Sequence, residues 1–268
     1  LQKIAFYSNS VQNSLQQELA DKLGKVSACE DYQLFLCNSG AEANENALKM
    51  ASFSNGRKRV IAFKRGFHGR TSAAVNITDN PKIQAPINST FPVSLLHLND
   101  DETLMKELAK GDVVAVVIEG IQGIGGIVEP TSSFLQTAQQ HCRLNGTILI
   151  LDEVQSGFGR SGTFFAFQQT NIEPDLITIA KGMGNGFPVG GLLLHPRFEA
   201  SYGLLGTTFG GNHLACAATL AVLEVIETEK LLDNATTMGN YLIQQFQQLQ
   251  GIKEVRGRGL MIGLQLEQ

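Results

Sequence analysis

Residues 175–191 read DLITIAKGMGNGFPVGG, and they join a short apolar run to a lysine and a glycine-rich turn. The run from Leu176 to Ala180 lacks polar alternation, which is typical of a strand covered on both faces. We expect Lys181 to be shielded from bulk water there, because burial favours the neutral amine that condenses with an aldehyde. The hypothesis is that Lys181 holds a cofactor as a Schiff base. The alternative is a surface lysine before a flexible loop, and the stretch taken alone favours that alternative because short motifs often match by chance.

The bulk composition limits the possible classes of protein. The chain has 268 residues, 43% hydrophobic and 17% charged, enough for one large α/β domain or one domain plus a fragment of another. A net charge of −4 gives no electrostatic reason to expect nucleic acid or an anionic membrane as partner. No apolar run approaches the ~20 residues that span a bilayer. Without a signal peptide or an initiator methionine, the chain is expected to be the interior of a longer one.

The four cysteines bear on the cellular compartment of the protein and on whether it binds a metal ion. All four are widely scattered and form no CxxC pair. This spacing argues against a zinc site or a disulfide framework and favours a reducing cytoplasm.

Short apolar runs alternate with helical patterns along the chain, which predicts an α/β fold. The strands are expected to form a mostly parallel sheet with helices on both faces, in three layers. The predicted strands are 33–37, 58–63, 112–119, 147–151, 176–180 and 189–194. The predicted helices are 12–23, the segment after Ser39, 104–109, 132–145, 213–229 and 231–249.

Three further segments carry specific expectations. Leucines four residues apart mark one face of the first helix, which is expected to end at Gly24. Residues 76–92 contain three prolines and are interpreted as a loop of lower order. Residues 255–266 are expected to form one last strand, at the start of a structure that the chain does not finish.

Five predicted strands are each followed by a residue suited to a binding site. Parallel strands place their carboxyl ends at one edge of a sheet, where open α/β folds have their sites. Suitable residues after five different strands are much less likely to occur by chance than a suitable residue after one strand. These exit residues are Ser39, Phe67, Glu119, Asp152 and Lys181.

The segment at Ser39 predicts a helix N-terminus. Ser39 is placed as the N-cap and Glu42 follows at the spacing of a capping box. The small residues Gly40 and Ala41 leave backbone N–H groups exposed at the helix start, where phosphate binds well. The alternative is an ordinary capped helix with no ligand.

The strand that ends at Asp152 is too apolar to tolerate an unpaired carboxylate. We therefore expect Asp152 to have a cationic or protonated partner. A metal ion is one candidate, although no histidine lies near in sequence, and a protonated ring nitrogen is the other.

The loop after the second strand combines an aromatic residue with cationic ones. Phe67 could stack on a planar ligand, and Arg70 could bind a carboxylate with two hydrogen bonds. The alternative is a solvated cationic loop with Phe67 in the core. His68 is interpreted as a structural hydrogen-bonding residue rather than as an acid or base.

Taken together, these motifs resemble the class III aminotransferases, which are fold type I enzymes that use pyridoxal 5'-phosphate. The resemblance covers nearly all of the chain and depends on the order and spacing of several motifs. They are NSGAEANE at 38–45, FHGRT at 67–71, DEVQ at 152–155, AKG at 180–182 and TTFGGN at 207–212.

The resemblance implies a role for each motif residue toward pyridoxal phosphate. Lys181 would form the Schiff base and later move a proton, while Asp152 would hold the ring N–H. Gln155 would contact the ring oxygen, and Val154 and Phe67 would pack on the two ring faces. The phosphate would be held by Ser39, Gly40, Ala41 and, from the partner subunit of a homodimer, Thr208.

The resemblance also implies the substrates and the domain division. Arg70 would bind a substrate carboxylate and Glu119 would line the substrate pocket. The closest likeness is to members that move the side-chain amino group of N-acetylornithine or N-succinylornithine to 2-oxoglutarate in arginine biosynthesis, in the cytoplasm. Residues 1–228 would form the cofactor-binding large domain and residues 229–268 the start of an incomplete small domain.

Other activities share the same cofactor residues. They include transamination of ornithine, GABA or β-alanine, an aminomutase reaction, or a cofactor-fold binding module without catalysis. Two positions depart from the family pattern, since Ile124 replaces a usual glutamate and Gly120 a usual proline. The glutamate commonly pairs with an arginine of the small domain that this chain is expected to lack, which affects the choice between two substrates.

Overall fold

The computed structural model describes residues 13–199 and 201–267. Within these ranges the main sheet has seven strands in the order β1-β7-β6-β5-β4-β2-β3. The strands are β1 Gln33–Cys37, β2 Arg59–Phe63, β3 Val93–Leu96, β4 Val113–Glu119, β5 Ile148–Asp152, β6 Leu176–Ile179 and β7 Gly190–Leu194, with β8 Ile252–Arg258 and β9 Met261–Leu266 outside this sheet. The helices are α1 Ser14–Ser27, α2 Gly40–Asn55, α3 Ser72–Asn76, α4 Asp101–Leu108, α5 Ser132–Asn145, α6 His213–Thr228 and α7 Leu231–Phe246.

The direction of the strands brings the predicted exits together. β7 pairs antiparallel with both β1 and β6, so β1 and β6 run the same way. The pairs β6–β5, β5–β4, β4–β2 and β2–β3 are all parallel. The carboxyl ends of β1, β2, β4, β5 and β6 therefore meet at one edge, as predicted, and β7 alone among the seven described strands runs the other way.

Helices cover both faces of the sheet, which confirms the three-layer α/β prediction. Along β5, Leu149 and Leu151 belong to one buried cluster together with residues of α1, α4, α5 and α6. Ile148 and Ile150 point to the opposite face and pack in a second cluster with residues of α2. Alternate residues of one strand thus enter two different cores, so an apolar run without polar alternation is required.

Helix ends follow the expected local chemistry in α5. Thr131 accepts a hydrogen bond from the Phe134 N–H at 3.1 Å at the start of the helix. Gly146 ends the helix in the left-handed region with φ 61°. Both ends of the predicted helix 132–145 are confirmed.

The predicted end of α1 at Gly24 is wrong, because the helix continues to Ser27 and ends at Ala28 with φ 54°. Gly24 is buried inside the helix, and a Cβ placed on it would lie 3.1 Å from the Glu30 Cα. Glycine therefore serves a close contact with the following turn rather than a helix end.

Residues 76–92 connect α3 to the next strand as a loop, as expected, although two short 3₁₀ turns give the loop local order. The segment forms 3₁₀ turns at Pro81–Ile83 and Pro86–Asn88. It then leads into the edge strand β3, which the sequence analysis missed. β3 has four residues and includes a serine, so its apolar pattern is too short to stand out.

The single strand predicted for 255–266 is also wrong, because this segment forms part of an antiparallel hairpin. β8 pairs with β9 from Ile252↔Leu266 to Arg258↔Met261, and this pair lies apart from the main sheet. Gly259, with φ 54°, lies in the turn between them. We retain the division at residues 228 and 229 as a proposal.

Two kinds of feature are absent from the described ranges. None of their helices is long and apolar enough to cross a membrane. Their His, Cys, Asp and Glu side chains form no group of three or more that could hold a metal ion.

Candidate active site

A cavity of about 410 Å³ opens at the edge of the sheet where the parallel strands end. This volume lies in the range of small-molecule sites. Its lining includes every predicted site residue except Thr208: Ser39, Gly40, Ala41, Phe67, Arg70, Glu119, Asp152, Val154, Gln155 and Lys181. The fold therefore gathers residues from five strand exits around one space.

Asp152 lies at the floor of the cavity and is 4% exposed. Its Oδ2 accepts a hydrogen bond from Asn44 Nδ2 at 2.9 Å and lies 2.8 Å from His68 Nδ1. Its Oδ1 accepts the Val154 backbone N–H at 3.0 Å. The expected partner of this carboxylate is therefore His68, which the sequence analysis treated only as a structural residue.

His68 is held on several sides and is 3% exposed. Its N–H donates to Thr78 Oγ1 at 2.9 Å, and its carbonyl accepts from Asn44 Nδ2 at 2.7 Å. Burial opposes protonation most strongly, but the hydrogen bond and charge of Asp152, with the charge of Glu119, raise the pKa of His68 above its usual value. Nδ1 is thereby favoured as the proton-bearing donor toward Asp152.

The start of α2 forms a concave surface of small residues. Ser39 caps the helix as predicted, because its Oγ accepts the Glu42 N–H at 3.2 Å. The return bond of a capping box is different, since Glu42 Oε2 accepts the Asn38 N–H at 2.6 Å. At Gly40 a Cβ would lie 2.6 Å from Val154 Cγ1, so a larger residue would displace Val154. The first N–H groups of a helix have no acceptor within it, which makes this surface suited to an anion.

Lys181 follows the end of β6 after one intervening residue, Ala180, and starts the 3₁₀ turn Lys181–Gly184. The prediction that burial shields this lysine is wrong for the described chain, in which Lys181 is exposed. The reason is that the strand ends before Ala180 and the turn carries the lysine into an open cavity. Its backbone is in the left-handed region with φ 46°, which costs a non-glycine residue about 1–2 kcal/mol.

Phe67 and Arg70 come from the loop after β2. Phe67 is half-buried and lines the cavity rather than lying in the core, while Arg70 is exposed at the cavity. Val154 and Gln155 reach the cavity from the turn after β5. Aromatic, aliphatic, cationic and amide groups thus surround the space above Asp152.

Glu119 is buried between two loops, with 6% of its surface exposed. Its Oε1 accepts the Phe67 N–H at 2.9 Å and its Oε2 accepts the Gly123 N–H at 3.2 Å. Burial and the nearby charge of Asp152 raise the pKa of Glu119 to about 7, although the charge of His68 and these hydrogen bonds oppose the shift.

Neither the role of Asn44 nor the pairing of His68 with Asp152 was predicted from the sequence. A signal for Asn44 existed, since it lies in the buried stripe of α2 beside Ala43 and Ala47. A polar residue in such a stripe requires a buried partner. Thr208 lies in the exposed segment after β7 and is not among the residues that line this cavity.

Known proteins of one family are similar to this chain. The model of the family Aminotransferase class-III matches residues 1–268. The acetylornithine aminotransferase of Streptococcus mutans is 40% identical over 263 residues, which cover 96% of this chain and 69% of that protein. The acetylornithine aminotransferase of Bacillus subtilis is 39% identical over 275 residues, covering 100% and 70%.

Solved structures show the same architecture. An aminotransferase from Bacillus anthracis superposes with a TM-score of 0.89 at 28% identity, covering 99% of this chain and 68% of that one. The ornithine aminotransferase of Toxoplasma gondii gives a TM-score of 0.90 at 27% identity, covering 99% and 67%. In another structure of that enzyme, pyridoxal phosphate partially occupies the active site. The chain belongs to the class III aminotransferases, a family of enzymes that depend on pyridoxal phosphate.

Proposed function

We propose that this transaminase moves the side-chain amino group of N-acetylornithine, or of N-succinylornithine, to 2-oxoglutarate. The observation that carries this proposal is that Lys181 and the buried pair of Asp152 and His68 share one cavity. Relatives about 40% identical are acetylornithine aminotransferases, which supports the choice of an acylated ornithine. We further propose a role in arginine biosynthesis in the cytoplasm.

The described residues fit pyridoxal phosphate in two respects. Asp152 Oδ1 accepts one N–H from Val154 and keeps capacity for a second donor, such as a ring N–H. The small residues at the start of α2 leave room beside Val154 that a Cβ at Gly40 would fill, next to N–H groups suited to a phosphate.

A third feature of the cavity is an unpaired acceptor. Asn44 Oδ1 is buried and has no hydrogen-bond partner among the described residues. Its orientation is set by the two bonds that Asn44 Nδ2 donates to Asp152 and to the His68 carbonyl. A buried orphan acceptor that lines a cavity is typical of a polar site designed for a ligand.

Bound pyridoxal phosphate supplies an aldehyde and an electron-withdrawing ring that stabilises negative charge on the substrate carbon. Lys181 would provide the amine that holds the cofactor, and the same amine would take and return a proton in the cavity. Asp152, which accepts a hydrogen bond from Asn44 and pairs with His68, would hold the ring N–H. Gln155 would contact the ring oxygen, while Phe67 and Val154 would pack on the two ring faces.

Arg70 is proposed to bind a substrate carboxylate, and Glu119 lines the same cavity. Ile124 replaces the glutamate that is usual in the family, and its side chain is 68% exposed. An apolar side chain there cannot pair with a cation. We expect it to change how the site alternates between an amino donor and a 2-oxo acid.

A homodimer is proposed because part of the phosphate site is expected from a second chain. The segment with Thr208 also carries exposed aromatic residues, Tyr202 at 90% and Phe209 at 58%. Exposed large apolar groups are typical of a surface that a partner covers. In this arrangement Thr208 of one subunit would contact the phosphate bound by the other.

Borohydride reduction of the holoenzyme, followed by peptide mapping, tests the assignment of Lys181. The expected result is one stable label, on the peptide that contains Lys181, and none in Lys181→Ala. A label on another lysine would overturn the assignment. A panel of N-acetylornithine, N-succinylornithine, ornithine, GABA and β-alanine as donors, with product identification, then decides the substrate.

A further inference from the structure

Glu119 joins two loops that meet at the cavity. It ends β4 opposite Asp152 in the sheet register. One oxygen accepts the N–H of Phe67, in the loop after β2, and the other accepts the N–H of Gly123, in the loop after β4. One buried carboxylate therefore controls the separation of two segments that are 56 residues apart (from 67 to 123).

Each of these loops contains or touches a residue that is proposed to contact the cofactor. Phe67 itself lines the cavity. Gly123 packs closely against Gln155, because a Cβ placed on Gly123 would overlap the Gln155 carboxamide. The backbone at Gly123 is therefore the surface against which the Gln155 side chain rests, and a shift of this loop moves Gln155.

We propose that Glu119 is a positioning residue that sets the distance between Phe67 and Gln155 across the cofactor site. The inference rests on the proposed function for the roles of Phe67 and Gln155. The two side-chain oxygens of Glu119 each accept one N–H, one from each loop. A carboxamide has one acceptor and one donor group, so it satisfies one loop and opposes the other.

The surroundings of Glu119 limit the expected effect. Gln122 Nε2 donates to the Lys64 carbonyl at 3.0 Å and forms a second link between the same two loops. The loops therefore stay together without Glu119 but lose their exact spacing. The charged groups that act on Glu119 are His68, which favours its ionised form, and Asp152, which opposes it.

The test compares the full chain with Glu119→Gln. Hydrogen exchange of the Phe67 or Gly123 amide is expected to become about tenfold faster, since one buried hydrogen bond is lost. The dissociation constant for pyridoxal phosphate is expected to rise about tenfold, as is common for groups that orient a ligand's contacts. The induced circular dichroism of the bound cofactor is expected to change because its ring is held differently.

Glu153→Gln is the matched control. Glu153 is also buried and accepts two backbone N–H groups, from Ala166 and Phe167, but it does not line the cavity. It should lower stability without changing the exchange at Phe67 and Gly123 or the cofactor dichroism. Glu119→Asp, which keeps the charge but is one methylene shorter, should reproduce the effects of Glu119→Gln and replaces it if that variant does not fold.

Two results would overturn the inference. One is unchanged exchange at both amides in the Glu119 variants. The other is faster exchange with unchanged cofactor affinity and dichroism, which would show that Glu119 joins the loops without positioning the site. If the wild-type protein binds no pyridoxal phosphate, the proposed function fails, while the exchange data still decide whether Glu119 joins the loops.

Discussion

Replacing Asp152 with asparagine removes the charge at the cavity floor and keeps the shape of the side chain. The new carbonyl oxygen can still accept the Val154 N–H, which donates to Oδ1 at 3.0 Å in the wild type. The new amide nitrogen takes the place of Oδ2, where Asn44 Nδ2 at 2.9 Å and His68 Nδ1 at 2.8 Å are its neighbours. The new amide N–H group then faces two other hydrogen-bond donors, Asn44 Nδ2 and His68 Nδ1, in a buried site.

The magnitude follows from the bonds that are lost. A hydrogen bond to a charged group contributes about 1.5–3 kcal/mol, and we expect the free energy of unfolding to fall by about 2–3 kcal/mol. The pKa of His68 should also fall below its usual value. Burial is the largest influence on His68 and lowers its pKa, whereas the opposing influence comes mainly from the hydrogen bond and charge of Asp152.

The assay is an NMR titration of the His68 ring in the wild type and in Asp152→Asn, with the half-buried ring of His195, which does not line the cavity, in the same spectra as an internal control. Urea unfolding gives the change in stability. The affinity for pyridoxal phosphate should fall about 10–100-fold. A His68 pKa that stays above its usual value in the variant would refute the assigned pairing, because the cause of the raised pKa would then lie elsewhere.

Further predictions concern single residues. Burial raises the pKa of Glu153 from 4.5 to about 7, so the native state keeps a proton that the unfolded state releases, and the free energy of unfolding should fall by up to about 3 kcal/mol as pH rises from 4.5 to 7. Urea unfolding across that range should show a flatter pH dependence in Glu153→Gln, and an unchanged slope would contradict the assignment. Gly40→Ala should displace Val154 and lower stability by about 1–3 kcal/mol, whereas Gly206→Ala, which has nothing within 4 Å of the added Cβ, should change it little in the same thermal assay. Lys181→Gly should relieve the left-handed backbone and raise stability by about 1 kcal/mol while abolishing transamination, and a loss of stability would argue against strain at this position.

The strands of the main sheet could be predicted wherever both faces are covered. β1 agrees with the predicted 33–37, and β4 differs from the predicted 112–119 by one residue. Such strands need apolar residues on both faces, so the run itself is the signal. The edge strand β3 was missed because its four residues include a serine and form an apolar run too short to be recognised.

The errors at the helix end and at the last strand have a common cause. Glycine is compatible with a turn, a helix end and a close contact, and local sequence does not distinguish them. In α1, Gly24 meets the backbone of residues 29 and 30 instead of ending the helix. In the hairpin, Gly259 turns the chain where a continuous strand was expected.

The sequence by itself determined the α/β class, the strands that end at the site and most of the residues that surround the cavity. These features depend on local pattern and on the shared edge of parallel strands. Only the tertiary structure decided the pairing of His68 with Asp152, which are 84 residues apart, and the link that Glu119 makes between two loops. It also decided that Lys181 is exposed in the cavity rather than buried. The physical reason is that solvent exposure and the partner of a buried charge depend on which loops meet in space, and no local pattern carries that information.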